Sequence, residues 1–107
     1  MAKLLIAGAA LLALCGVAAA QGQDPAAQRG LNFARTNCAQ CHAIDKVSPS
    51  PLAIAPPFRT LHEKYPIVYL EEALAEGIVT SHPTMPQFRL DPGQIADVIA
   101  YFKTLEK

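Results

Sequence analysis

The run Cys38-Ala39-Gln40-Cys41-His42 places two thiols three residues apart with an imidazole directly after the second. That pattern is the attachment signature of a c-type haem, in which the thiols add across the porphyrin vinyl groups and the adjacent histidine binds the iron from one face. Two intervening residues let a single helical turn carry both sulfurs and His42 to the same edge of a flat macrocycle. Other readings of a CxxC pair fit less well. A zinc site needs a second Cys/His pair at ligand spacing, whereas His62 and His82 each stand alone. A thioredoxin-type redox pair follows a strand, and no strand-like alternation precedes Cys38. A structural disulfide stays open, although so short a loop would stabilise little.

The second axial position decides what an iron held this way can do. Met85 lies 43 residues after His42, in Ser81-His82-Pro83-Thr84-Met85-Pro86-Gln87-Phe88. Pro83 and Pro86 keep this segment out of a helix and restrict its backbone, so a thioether here can be presented by a stiff loop. Met85 is the expected ligand, against the plainer reading of a methionine that fills a gap in the core. His82 is the competitor, and a bis-imidazole site would have a lower potential.

The N-terminus predicts export. Lys3 supplies a positive start, Leu4 to Val17 is uncharged and rich in Leu and Ala, and Ala18-Ala19-Ala20 offers small residues for a signal peptidase. The expectation is a signal peptide over residues 1–20, cleaved after Ala20, and one domain over residues 21–107. A retained membrane anchor is the alternative, but the apolar run is short for a span and is interrupted by Gly8 and Gly16. A lipidated Cys15 is disfavoured by the bulk of Leu14 before it. Cleavage leaves 87 residues with Met85 as the sole methionine and no thiol beyond Cys38 and Cys41, which suits an oxidising periplasm.

The loss of Lys3 leaves eight basic residues against nine acidic ones, a formal charge of −1. No basic stripe gathers phosphates, so nucleic acid is excluded as a partner. A chain of this length builds only a thin apolar core, which a buried, covalently held macrocycle would complete.

The elements that must position these residues are helices joined by proline-rich segments. Asp24-Pro25 predicts an N-cap followed by a helix whose face Ala27, Gly30, Leu31 and Ala34 leads to Cys38. Four prolines and two serines make residues 45–57 a loop able to wrap an apolar object. A short helix is expected over Phe58 to Lys64. Beyond Tyr65-Pro66, a helical face of Ile67, Leu70, Leu74 and Ile78 follows, with Gly77 as its stop. Asp91-Pro92-Gly93-Gln94 reads as a capping box before the stripe Ile95, Val98, Ile99, Phe102 and Leu105.

The haem-attachment run, the later Met85-Pro86, Gly30 eight residues before Cys38, and the tail Ala96-Asp97-Val98-Ile99-Ala100-Tyr101-Phe102-Lys103 together resemble the class I cytochrome c family, of bacterial exported type. The resemblance covers nearly all of residues 21–107. It implies an all-α fold whose helices wrap one covalently attached haem c. The first and last helices would cross at nearly a right angle, with Gly30 letting the backbones approach and Tyr101 packing at the crossing. The family's usual aromatic four residues after that glycine is Ala34 here, and Phe33 stands one place early. The family also supports its axial histidine with a proline carbonyl, for which Pro56 and Pro57 are the candidates.

An iron closed by His42 and Met85 has no open position for substrate. The expected function is therefore one-electron transfer between redox donors and acceptors that dock transiently with a monomeric, non-enzymatic carrier not embedded in a membrane. Two alternatives are a haem enzyme or gas sensor with a displaceable sixth ligand, and a dedicated cytochrome subunit of a dehydrogenase or oxidase complex. The family's lysine ring is reduced here to Lys46, Lys64, Lys103 and Lys107, so charge steering is expected to be weak. An apolar docking rim would draw on Ile44, Ala55, Pro56, Pro57, Pro86 and Phe88, at least half of them serving instead as crevice wall.

Overall fold

The structure, a computed structural model, describes Gly8, residues 24–80 and residues 82–107. The expected signal peptide with its cleavage point after Ala20, and Cys15 within it, lie outside the described residues, as does Ser81. The chain forms α1 (Pro25–Asn37), a 3-10 turn (Phe58–Thr60) running directly into α2 (Leu61–Lys64), then α3 (Tyr69–Glu76) and α4 (Pro92–Thr104). No strand occurs among the described residues, and none of their helices is long and apolar enough to cross a membrane.

Two helices start on an Asp-Pro pair, with different outcomes. At α4 the capping box forms in full: Gln94 N–H donates to Asp91 Oδ1 at 2.8 Å, and Asp91 N–H donates to Gln94 Oε1 at 3.1 Å. At α1 the Asp24 side chain makes no cap bond, and proline at the first helical position pre-sets the backbone instead. No Glu or Gln stands three residues after Asp24 to close the reciprocal pair, which is the difference between the two sites.

The apolar face expected for a longer third helix is real, but α3 covers only its middle. Ile67 is buried ahead of the helix and Ile78 packs on the core beyond it. Gly77 ends α3 at φ +103°, a conformation that side chains with a Cβ rarely adopt, and any Cβ there would press on the Gln87 side chain at 3.2 Å.

The helix α4 organises the core, with α1 on one side and α3 on another. Ile95, Val98, Ile99, Tyr101, Phe102 and Leu105 are all buried, against Ala34, Phe58, Leu61 and Leu74. At the α1–α4 contact the two backbones approach so closely that a Cβ on Gly30 would collide with the Asp97 carbonyl oxygen and lie 2.8 Å from the Tyr101 Cβ. Ala27 and Ala34, each 1 % exposed, extend the same small-residue face along α1. Arg29 closes the edge of the contact with an ion pair to Asp97 at 3.0 Å. Ala34, at the place of the family's aromatic, is buried in the core. Phe33, one position round the helix, points to a different destination.

Candidate functional site

The C-terminus of α1 delivers the Cys-x-x-Cys-His run. Cys38 N–H closes the helix on the Ala34 carbonyl at 2.8 Å, and a further turn follows as Cys41 and His42 N–H both reach back to the Cys38 carbonyl, at 3.2 and 2.9 Å. Cys38, Cys41 and His42 consequently line one cavity of about 670 Å³. Met85 lines the same cavity from the segment between α3 and α4, half-buried, its N–H bonded to the His82 carbonyl at 3.1 Å. The walls are largely apolar: Phe33, Leu61, Leu70, Leu74, Val98 and Phe102 all contribute. The volume falls within the roughly 300–1,000 Å³ of cofactor-sized pockets.

His42 is fixed from two sides. Its Nδ1 lies 2.8 Å from the Pro56 carbonyl oxygen. A carbonyl can only accept, so Nδ1 carries the proton and Nε2 is the nitrogen left with a lone pair for a metal. The neighbouring Pro57 carbonyl is already taken by Thr60, through its N–H at 3.0 Å and its hydroxyl at 2.8 Å. Of the two candidate carbonyls, only that of Pro56 supports the imidazole. The ring also packs on buried Phe58 at a centroid distance of 4.9 Å, and Phe58 in turn meets Phe102 of α4 edge to face at 4.8 Å. The last helix therefore reaches the histidine through two aromatic rings.

The thiols of Cys38 and Cys41 are free. Burial pushes the Cys38 thiol up to about 11, so it stays protonated at neutral pH. Catalytic dithiols have the opposite property, a lowered pKa that exposes the thiolate. Among the described residues no three His, Cys, Asp or Glu side chains gather to hold a metal ion, so the pair lacks the ligand set of a tetrahedral zinc site. A large apolar cavity with two free thiols and one imidazole at its wall fits a flat apolar macrocycle with a central metal.

The loop over residues 45–57 folds back over this run. The Asp45 carboxylate accepts from the Ser48 hydroxyl at 2.6 Å and from the Ser48 and Val47 N–H groups at 2.7 and 3.0 Å. The Ser48 bonds, then the Val47 bond and the charge of Arg59, hold the Asp45 carboxyl below the usual carboxylate range. The tie is thus intact at any pH above that range and is lost only as acid titrates the folded carboxylate. Arg59 donates to the Ser48 carbonyl at 2.7 Å, and the Tyr101 hydroxyl donates to the Ile44 carbonyl. Burial, with the Asp45 charge, raises the Tyr101 phenol and keeps it a donor.

At least half of the six apolar residues expected near the haem edge are crevice wall: Ala55, Pro56, Pro86 and Phe88 all line the cavity. Ala55 is buried, Ile44, Pro56, Pro57 and Phe88 are partly so, and among the six only Pro86 is exposed. Phe88 serves as crevice wall, meeting Phe33 edge to face at 6.2 Å, which is where the displaced aromatic of α1 goes. Leu52 and Ile54, 40 % and 61 % exposed, are further exposed apolar residues on the cavity. A proline-rich loop without periodicity gives no pattern from which to choose these positions. Tyr65, which also lines the cavity, was legible only as half of a Tyr-Pro boundary. His82 is exposed at the cavity, whose other polar lining residues include Asn37, Gln40, Lys64, Thr80 and Thr84.

Comparison with curated proteins and with solved structures gives no match. The family model described as Cytochrome c matches residues 27–106, from the first turn of α1 to the end of α4. The match takes in all of the helical fold but the first two residues of α1, and every residue of the cavity described above. The chain belongs to the class I cytochrome c family, and its cofactor is covalently attached haem c with its iron.

Proposed function

We propose that this cytochrome is a periplasmic one-electron carrier, exported by a signal peptide cleaved after Ala20. In this reading Cys38 and Cys41 hold one haem by thioether links, and His42 and Met85 bind its iron. One observation carries the reading: a single apolar cavity gathers all four side chains, with the His42 Nδ1 already committed to Pro56 so that only Nε2 is free for a metal. Bound haem supplies a one-electron Fe(III)/Fe(II) couple.

The rest is the work of the chain. Cys38 and Cys41, anchored to the end of α1, set the orientation of the macrocycle and prevent its loss. Pro56 and Phe58 keep the imidazole from turning, and Pro83 and Pro86 limit the excursions of the thioether. A ligand set held this firmly needs little rearrangement when the charge on the metal changes, which keeps the barrier to transfer low. Phe33, Leu70, Leu74, Phe88 and Phe102 exclude water, and an apolar surround with a soft thioether favours the less charged Fe(II) and raises the potential.

Exposed Leu52 and Ile54 at the cavity offer a small apolar contact for transient docking of redox donors and acceptors by a monomeric carrier. Matured protein should titrate as one reversible one-electron wave, and the reduced form should not bind carbon monoxide. Ready carbon monoxide binding would overturn the carrier and favour a haem enzyme or gas sensor.

A further inference from the structure

The support of His42 depends on where the Pro56 carbonyl sits, and Pro56 belongs to a loop with no regular structure and several exposed residues, Pro49, Pro51, Leu52, Ala53 and Ile54. Three hydrogen bonds stitch that loop to the peptides on either side of His42. Leu52 N–H donates to the Cys41 carbonyl at 3.1 Å, and Phe58 N–H donates to the Ala43 carbonyl at 2.9 Å. Between them, Ala43 N–H donates to the Ser50 hydroxyl oxygen at 3.0 Å. Two of the three are backbone to backbone, so Ser50 supplies the sole side chain among them. Ala43 is buried at 4 % exposure, so its N–H has no ready substitute in water if that oxygen is removed.

We infer that Ser50 is a positioning residue for the axial histidine, fixing through the Ala43 peptide the register between the Cys-x-x-Cys-His turn and the Pro56 carbonyl. The inference rests on the reading of His42 as an iron ligand. A carbonyl on the outer nitrogen of a metal-bound imidazole fixes its tautomer and raises its basicity, which favours Fe(III). Loosening that bond should therefore raise the potential, the direction opposite to losing the thioether.

The test is made on holoprotein by following the His42 Nδ1 proton in magnetic resonance together with the potential. Ser50→Ala should speed exchange of that proton about tenfold, equivalent to about 1.4 kcal/mol of lost protection, and shift the potential upward while leaving thioether ligation intact. Ser50→Thr, which keeps the hydroxyl, should restore both. Unchanged proton exchange and potential in Ser50→Ala would overturn the inference, as would a shift that Ser50→Thr fails to reverse. If Ser50→Ala does not mature with haem, the wild-type protein decides: the Ala43 amide must exchange far more slowly than exposed loop amides such as Ile54, and equal rates would refute the role. A wild-type spectrum without an imidazole ligand would instead refute the reading of His42, a distinct failure.

Discussion

Met85→Ala should abolish the weak sulfur-to-iron charge-transfer band at the red end of the oxidised spectrum. It should also lower the potential by about 0.1–0.3 V, within the roughly 0.8 V over which axial ligands move haem potentials. The substitution removes the sole thioether of residues 21–107 from the cavity wall and, with Met85 as the proposed ligand, would leave a coordination position for cyanide, carbon monoxide or peroxide. His82 is the informative control. It lies three residues upstream on the same cavity, but it is exposed, and its backbone is occupied by Thr80 and Met85. His82→Ala should change neither the band nor the potential appreciably. Survival of the band in Met85→Ala, with its loss in His82→Ala, would exchange the roles of the two residues.

Gly30→Ala should destabilise the holoprotein by about 3 kcal/mol, toward the upper end for an overpacked site and well above the usual effect of a single surface change. Alanine would ordinarily help a helix interior by about 1 kcal/mol. Here the added carbon meets the Asp97 backbone, 2.7 Å from its carbonyl carbon, and backbone cannot turn aside as a side chain can. Relief requires α1 and α4 to separate, which uncovers Ala27 and Ala34 and carries the turn of Cys38, Cys41 and His42 away from Phe58 and Phe102. With a denaturant slope of about 2 kcal/mol/M, the urea midpoint should fall by about 1.5 M. Arg29→Ala, which removes the exposed ion pair at the same contact, should cost no more than about 1 kcal/mol. Equal midpoints for the two variants would show that the close approach does not govern stability.

The features legible in the sequence were those written in local chemistry. Asp91 to Gln94 announces its own capping box because both partners lie within four residues, and Gly77 announces a stop because its backbone conformation suits few other residues. The turn carrying Cys38, Cys41 and His42 is equally local. The extent of α3 was not legible, because Ile67 and Ile78 follow a helical period while lying outside the helix, Ile67 buried in the turn before it and Ile78 partly buried beyond Gly77. Nor was the exposed edge of the cavity, since burial of Ala55 and exposure of Ile54 depend on how loop 45–57 is tied by Ser48, Ser50 and Arg59 to distant peptides. The choice of Pro56 over Pro57 is of the same kind: it is made by Thr60, whose two donors occupy the other carbonyl.

Covalent attachment of haem at Cys38 and Cys41 is the claim on which the whole account stands, and acid-acetone extraction followed by a pyridine haemochrome spectrum tests it directly. Protein matured with a haem-ligation apparatus should retain its haem through extraction and give the spectrum of two saturated thioether links. Cys38→Ala and Cys41→Ala should each give that of one link. Haem that leaves with the acetone, or a spectrum with both vinyl groups intact, would contradict the account at its centre.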